Sequence, residues 1–241
     1  MGKVIAVYSM KGGVGKSSLA VNLAHGLSVA GHRTLIWDID AQGAVAFLLG
    51  HSYIAGAKAK KIFAKDADAA DAIVPTDWPG LDLIAADLSL RHLETDLSED
   101  KPKRLRKLLA ALTPDYDRII LDCPPGLGEI SDQIFRAADL LVVPVMPAPL
   151  ALRTLDQVEE HLADVRGKKA PALLPVLSMV DRRKGLHRDT ADAHPDWPTI
   201  PHASVVEQMG VQQSPLTAFA GKSAAARAFA SVVVKVEAAL G

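Results

Sequence analysis

A glycine-rich loop between an apolar strand and a helix constrains this chain more than any other feature. Residues 4–8 are mostly apolar and predict a short buried strand, after which residues 10–17 read Met-Lys-Gly-Gly-Val-Gly-Lys-Ser. Apolar residues then recur at helical spacing from Ser18 to Ala30, and Gly31 is expected to end that helix. A strand that passes through glycines into a helix is a typical opening unit of an α/β fold.

Strand and helix patterns alternate along the rest of the chain. Further strands are predicted at 34–37, 81–85, 118–121, 140–145, 173–178 and 199–200, and further helices at 104–112, 152–165 and 224–240. The continuous apolar runs at 119–121 and 140–143 suit a parallel sheet that is covered on both faces. We therefore expect an α/β fold with a single doubly wound, mostly parallel sheet in one domain over residues 1–241. The segment 50–72 predicts a surface helix or a mobile loop.

Composition excludes several classes of protein. The 27 Lys and Arg residues nearly balance the 28 Asp and Glu residues, so net charge alone would not hold the protein on DNA or on a membrane. A lone cysteine, Cys123, excludes an internal disulfide and a cysteine-ligated metal cluster within one chain, and we expect it to be a small buried residue. Apolar runs are too short to span a membrane and a strand begins near the N-terminus, so we expect a cytoplasmic protein without a signal peptide.

The glycine-rich loop matches most of the Walker A phosphate-binding pattern. Gly15, Lys16 and Ser17 fit G-x-x-x-x-G-K-[ST], whereas Met10 stands in place of the first glycine. Lys16 is suited to bridge the β- and γ-phosphates and Ser17 to bind Mg²⁺, so the loop predicts ATP and Mg²⁺ as ligands. The residues expected around the nucleotide phosphates are Lys11, Gly12, Gly13, Val14, Gly15, Lys16, Ser17 and Ser18.

Acidic residues follow two further strands, at the edge of the sheet where ligands bind in such folds. Asp122 ends the strand at 118–121 and is expected to hold Mg²⁺ through water. Asp38 and Asp40 should point the same way from an extended chain, with Asp38 supporting the magnesium shell and Asp40 orienting the attacking water. Simple turn chemistry is the alternative role for this pair. The switch that reports the γ-phosphate is expected to consist of Pro124, Pro125 and Gly126.

With these motifs, the chain resembles the ParA/MinD family of deviant Walker A ATPases, particularly the short ParA type. The family patterns KGGxGK[ST], DxDPQG and DxPP have counterparts here at 11–17, 38–43 and 122–125. The resemblance runs from residue 3 to about residue 165 and continues more weakly to the end. It implies an ATPase with slow intrinsic turnover that uses Lys11, Lys16 and Asp40 in catalysis. It also implies an ATP-dependent homodimer, in which Lys11 of each subunit reaches the phosphates held by the other.

The same resemblance implies partners for the dimer. A ParB-like or adaptor protein is expected to stimulate hydrolysis, and the ATP dimer is expected to bind DNA non-specifically and to position DNA or a large cargo on the nucleoid. Candidate DNA contacts are Arg182, Arg183, Lys184, Arg188, Lys222 and Arg227. The family-like positions around the adenine base are Met179, Asp181 and Pro201. The basic run of Arg104, Arg106 and Lys107 is interpreted as a solvated helix face.

Some residues depart from the family pattern and keep alternatives open. Ala41 replaces a proline, and His202 stands where many relatives carry an arginine, which weakens the inference of DNA binding. The chain begins with the ATPase pattern rather than a helix-turn-helix segment, which argues against operator-specific repression. The alternatives are a metabolic P-loop enzyme of the synthetase or reductase kind and a MinD-like membrane-associated regulator. The Ala- and Val-rich helix at 224–240 favours core packing over a membrane anchor, so no membrane partner is expected.

Overall fold

The structure, a computed structural model, describes residues 2–51, 59–64, 68–87, 90, 103–166 and 170–241. Its strands are β1 (Lys3–Val7), β2 (Thr34–Asp38), β3 (Ile73–Pro75), β4 (Leu81–Ile84), β5 (Arg118–Asp122), β6 (Leu140–Val145), β7 (Ala172–Val180) and β8 (Thr199–Pro201). They form one sheet in the order β3-β4-β2-β5-β1-β6-β7-β8. All neighbouring strands are parallel except β3 and β4. The predicted mostly parallel sheet is confirmed.

Helices cover both faces of this sheet. Those in the described part of the chain are α1 (Lys16–Val29), α2 (Ala44–Leu48), α3 (Ala59–Ala64), α4 (Arg104–Leu112), α5 (Glu129–Ala137), α6 (Pro149–Arg166), α7 (Gly185–Ala193), α8 (Ser204–Glu207), α9 (Met209–Gln212), α10 (Leu216–Ala220) and α11 (Ala224–Leu240). None of these helices is long and apolar enough to cross a membrane.

Alternate residues of β1 belong to two different hydrophobic clusters, because successive side chains of a strand point to opposite faces. Val4 and Ala6 pack in the cluster built by α4, α5 and α6, whereas Ile5 and Val7 pack in the cluster built by α1 and α11. The sheet is therefore covered on both faces, which confirms the doubly wound arrangement. Helix α11 buries Phe229 among its core residues, as the core-packing interpretation predicts.

Arg104 corrects one interpretation of the basic run in α4. Arg106 and Lys107 are exposed as expected, but Arg104 is 8% exposed. Its guanidinium donates hydrogen bonds to the carbonyls of Phe63, at 2.9 Å, and Ile62, at 2.5 Å. The solvated-face prediction is wrong for Arg104 because this side chain satisfies buried carbonyl groups of α3.

The same contact bears on the prediction for the segment 50–72. Ile62 and Phe63 are buried in the core and Lys61 is exposed, so the predicted helix packs its apolar residues against the core. Residues 52–58 and 65–67, which belong to the same predicted segment, lie outside the described residues. The buried position expected for Cys123 is confirmed.

Candidate nucleotide-binding site

The glycine-rich loop lies at the carboxyl end of β1, a central strand of the sheet between β5 and β6. Gly13 and Gly15 have φ angles of 73° and 86°, in the left-handed region that favours glycine. Gly15 is the N-cap of α1 and no side chain caps that helix, so its first N–H groups keep their capacity to donate. A Cβ atom at Gly12 or Gly13 would meet nothing within 4 Å. The loop therefore offers open space and backbone donors to an anion.

Lys16 begins α1 and is largely buried, with 7% of its surface exposed. Its Nζ atom donates to the Lys11 carbonyl at 3.4 Å, a long hydrogen bond. It forms no salt bridge within the described part of the chain. A buried ammonium group without an ion pair is energetically unfavourable, so this position suits a bound anion.

Asp122 ends β5 and is fully buried. Neither carboxylate oxygen has a hydrogen-bond partner of normal geometry among the described residues. Burial is the main cause that raises its pKa to about 7, while the nearby Ser17 hydroxyl and Lys16 ammonium lower it. An unpartnered buried carboxylate beside a hydroxyl group is a donor set that a divalent cation would satisfy. Ser17 and Asp122 thus fit a Mg²⁺ ion that also binds water and nucleotide phosphates.

Asp38 ends β2, where it pairs in register with Asp122 of β5. Its two oxygens accept hydrogen bonds from the backbone N–H groups of Asp40, at 3.0 Å, and Val45, at 3.1 Å. Burial and then the charge of Asp122 raise the pKa of Asp38 well above its ordinary value. Both oxygens therefore help to shape the loop between β2 and α2.

Asp40 is half-buried in the same loop and is arranged differently. Its Oδ1 atom accepts a hydrogen bond of 2.9 Å from the Gln42 N–H, which is the turn chemistry considered above. Its Oδ2 atom accepts no hydrogen bond from the described residues. The charge of Asp40 contributes to the raised pKa of Asp122, so the two carboxylates are neighbours. Asp40 is therefore close to the candidate metal site and has an oxygen available to bind water.

A cavity of about 490 Å³, which includes solvent at its open side, adjoins the glycine-rich loop. Gly15 and Ser18 form its phosphate-loop wall, so a nucleotide with phosphates on the loop would direct its base here. The rest of the lining comes from the ends of β7 and β8 and from α8 and α11: Ser178, Met179, Ile200, Pro201, His202, Ala203, Val206, Glu207 and Phe229.

Of the residues predicted around the base, Met179 and Pro201 line this cavity and Asp181 does not. Met179 has a φ of 57°, a conformation that residues other than glycine rarely adopt and that often marks a ligand site. The Ser178 hydroxyl donates to the Val14 carbonyl at 2.8 Å and so ties β7 to the phosphate loop. Asp181 is committed elsewhere, because its carboxylate pairs with Arg183.

Sequence reasoning missed most of the cavity lining. Glu207 and Val206 belong to α8, which has only four residues and gives no periodic signal. The sequence predicts core packing for the closing helix as a whole, and Phe229 of that helix contributes to both the core and the cavity. His202 was noticed only as a departure from the family pattern, yet it lines the cavity and its N–H donates to the Val180 carbonyl at 3.0 Å.

The candidate DNA contacts lie around two exposed turns. At the first turn, Arg183 makes a bidentate ion pair with Asp181, with both distances at 2.9 Å, which holds the pKa of that carboxyl well below its usual range. Arg188 donates to the carbonyls of Arg182 and Arg183. The side chains of Arg182 and Lys184 make no hydrogen bond or ion pair with the described residues. At the second turn, between α10 and α11, the Arg227 guanidinium donates to the Lys222 carbonyl at 2.6 Å.

Lys11 is exposed, and its Nζ atom donates to the Leu150 carbonyl at the start of α6 over 3.2 Å.

The candidate switch of Pro124, Pro125 and Gly126 follows β5, and Gly126 has a φ of 99°. The structure therefore brings the phosphate loop, Asp122 and the switch segment to one edge of the sheet.

Comparison with known proteins agrees with this geometry. Residues 2–174 match a family model described as an AAA domain. The chain is 35% identical to the chromosome partitioning protein ParA of Caulobacter vibrioides over 201 residues, which cover 78% of this chain and 74% of that protein.

Solved structures give the same fold. The septum site-determining protein MinD of Pyrococcus horikoshii, complexed with Mg-ADP, superposes with a TM-score of 0.82 over 98% of this chain and 96% of that chain, at 23% identity. Cobyrinic acid a,c-diamide synthase of Mycobacterium smegmatis, with bound ADP and magnesium, has a TM-score of 0.80 at 28% identity, over 98% and 94% of the two chains. ATP with Mg²⁺ is the ligand pair that the chemistry of the present site fits. By sequence and fold, this chain belongs to the ParA/MinD family of deviant Walker A ATPases.

Proposed function

We propose that this chain binds ATP with Mg²⁺ and hydrolyses it slowly. The observation that carries the proposal is the unpartnered buried carboxylate of Asp122 beside Ser17 and Lys16. Ser17 and Asp122 would hold Mg²⁺, which supplies positive charge against the phosphate oxygens. Lys16 and the amides of the loop would stabilise negative charge on the transferred phosphoryl group. Asp40 would orient the attacking water through its available Oδ2 atom.

The proposed cycle includes a dimer formed only with ATP. Lys11 supports this step, because its ammonium group is exposed at the edge of the loop instead of buried with Lys16. In the dimer, Lys11 would leave the Leu150 carbonyl and reach the phosphates held by the partner subunit. The γ-phosphate would be sensed by Pro124, Pro125 and Gly126, and its loss on hydrolysis would loosen the dimer. A ParB-like or adaptor protein would accelerate hydrolysis.

The ATP dimer is proposed to bind DNA without sequence preference and to position DNA or a large cargo on the nucleoid. Similarity to a chromosome partitioning protein supports this. The exposed side chains of Arg182 and Lys184, which form no ion pair with any residue that the structure describes, would contact phosphates most directly. Arg183 and Arg188 would shape their turn, and Lys222 and Arg227 would add a second basic turn.

Duplex DNA titrations test this proposal. Fluorescence anisotropy with a random-sequence duplex should show binding with ATP and little with ADP, and affinity should fall steeply as salt rises. Replacing both Arg182 and Lys184 with Ala should reduce the slope of log K against log salt by about 2 for each subunit of the dimer that contacts DNA, because each lost phosphate contact contributes roughly 0.9. The matched control is Arg106→Ala with Lys107→Ala, two exposed cations on α4. Absence of ATP-dependent binding at low salt would refute the DNA part of the proposal.

A biosynthetic P-loop enzyme is the second candidate, favoured by the likeness to the diamide synthase over nearly the whole chain. An enzyme of that class would use ATP to activate a carboxylate, so its turnover would require a small organic acid and would not respond to DNA. Phosphate release measured with duplex DNA and a partner protein, against release with candidate acids, separates the two functions.

A further inference from the structure

The Tyr8 hydroxyl makes a long-range contact with the loop that follows Asp122. Tyr8 comes directly after β1 and is fully buried, and its Oη atom donates a hydrogen bond of 2.8 Å to the Gly126 carbonyl. The two residues are 118 positions apart in the chain. Neither the phosphate-loop motif nor the strand pattern gives Tyr8 a role beyond filling the core.

Among the described residues, the other hydrogen bonds that hold this segment lie at its two ends. Before it, the Cys123 N–H donates to the Val7 carbonyl at 3.2 Å. After it, the Ser131 hydroxyl exchanges hydrogen bonds with the backbone of Gly128 at 2.8 and 2.6 Å. Between these points, residues 124–127 make one hydrogen bond with other described residues, and it is the bond that the Gly126 carbonyl accepts from Tyr8. The position of the loop therefore depends on this hydroxyl group.

The hydrogen bond also fixes the orientation of a peptide group. Gly126 has a φ of 99°, in the left-handed region that favours glycine. An added Cβ would meet nothing within 4 Å, so the backbone conformation, and not a lack of space, favours glycine here. In a trans peptide the carbonyl of one residue and the N–H of the next point in opposite directions. With the Gly126 carbonyl held on Tyr8, the Leu127 N–H points away from Tyr8 and has no acceptor among the described residues. Such an N–H group suits an anion.

Aromatic packing keeps the hydroxyl in place. The Tyr8 ring meets the ring of Phe135 in α5 edge to face, with centroids 5.0 Å apart and planes at 83°. Phe135 in turn packs against His161 of α6, whose Nε2 lies 2.7 Å from the Asp132 carboxylate. The tyrosine ring is thus held by Phe135 of α5, and Phe135 is itself supported by α6.

We propose that Tyr8 is a positioning residue for the loop 124–127, whose hydroxyl orients the Gly126–Leu127 peptide in advance to receive the γ-phosphate of ATP. This inference rests on the proposed function, in which that loop senses the γ-phosphate. Holding the loop in its receptive position removes an ordering cost from ATP binding, whereas ADP gains nothing because it lacks the group that the loop meets. One ordinary hydrogen bond corresponds to a preference of about three- to tenfold.

Tyr8→Phe tests the inference, because it removes the hydroxyl and keeps the ring. The matched control is Tyr116→Phe, which removes another buried hydroxyl, one that donates to the Asp82 carboxylate at 2.7 Å. We expect Tyr8→Phe to raise the Kd for a non-hydrolysable ATP analogue about three- to tenfold while the Kd for ADP stays within twofold. Tyr116→Phe should leave the ratio of the two constants unchanged.

Hydrogen exchange of the nucleotide-free protein gives a readout that needs no ATP. The amide of Gly128, which donates to the Ser131 hydroxyl at 2.8 Å beside the loop, should exchange faster in Tyr8→Phe than in wild type and Tyr116→Phe. Unchanged exchange overturns the contact as a loop restraint. If exchange is faster in Tyr8→Phe but the preference for the ATP analogue over ADP is unchanged or higher, Tyr8 restrains the loop without preparing it for the γ-phosphate. That result overturns the inference. A wild-type protein that binds neither nucleotide overturns the proposed function together with the coupling, whereas the exchange data would still decide whether Tyr8 holds the loop.

Discussion

Replacing Lys16 with methionine separates a ligand-binding role from a structural one. Methionine keeps most of the volume and the apolar stem of the side chain and removes only the charge. In the free protein the Lys16 ammonium is buried, and among the described residues it makes one long hydrogen bond and no ion pair. Lys16→Met should therefore leave the free energy of unfolding of the unliganded protein unchanged or slightly higher.

The nucleotide-bound state should respond in the opposite direction. A charge-assisted hydrogen bond contributes about 1.5–3 kcal/mol, so its loss should weaken ATP binding roughly 10- to 150-fold. At ATP concentrations near 100 times the wild-type Kd, ligand binding should stabilise the wild-type protein by about 2.7 kcal/mol and the variant by about 1.4 kcal/mol or less. For a protein of this size, the wild-type Tm should then rise by about 5–11 °C.

Differential scanning fluorimetry with and without ATP and Mg²⁺ measures both effects on one sample. Lys107→Met, which changes an exposed lysine on α4, is the matched control and should keep the full ATP-induced shift. If Lys16→Met lowers the Tm of the free protein by many degrees yet retains the wild-type shift with ATP, the lysine is structural and the phosphate-binding assignment is wrong.

Three further changes test other parts of the structure. Arg104→Ala should destabilise the protein by about 3–5 kcal/mol in urea unfolding because it leaves buried carbonyls unpartnered, whereas Arg106→Ala should change stability by less than about 0.5 kcal/mol; equal effects would contradict the buried role of Arg104. Asp40→Ala should retain ATP binding and lose phosphate release, and undiminished hydrolysis would remove Asp40 from the mechanism. The hydrogen bond from Arg118 is the main cause that lowers the pKa of Glu237. The ionised carboxylate therefore stabilises the folded protein at pH values above its unfolded-state pKa. This stabilisation is lost as the pH falls through the folded-state pKa. Glu237→Gln should therefore reduce the Tm at pH 7 and leave it unchanged near pH 2–3, and an equal loss at both pH values would contradict the ionic role.

Local sequence signals predicted the parts of the site that each lie within a few consecutive residues. The glycines that set the loop conformation and the Lys16 side chain that suits phosphate lie in one short run of sequence. Asp122 comes immediately after an apolar strand. Alternation of strands and helices was sufficient for the doubly wound sheet, because buried parallel strands carry continuous apolar runs.

Contacts between distant segments were beyond such signals. In the sequence, Arg104 is one of several cations in a basic helix, and only the fold places it beside the α3 carbonyl groups that need a donor. Tyr8 has the pattern of a core aromatic, and only the fold brings Gly126 to its hydroxyl. The base-side cavity depends on Glu207 and Phe229 from short or distant helices, so no spacing in the sequence could indicate their meeting.

The mass of the protein in solution tests the central claim, an ATP-switched dimer that depends on Lys11, most directly. Multi-angle light scattering should give a monomer near 25.6 kDa without nucleotide or with ADP, and twice that mass with ATP and Mg²⁺ in the hydrolysis-blocked Asp40→Ala variant. Adding Lys11→Ala to that variant should preserve ATP binding and return the mass to that of a monomer. A dimer that forms equally without nucleotide, or that survives Lys11→Ala, would contradict the account.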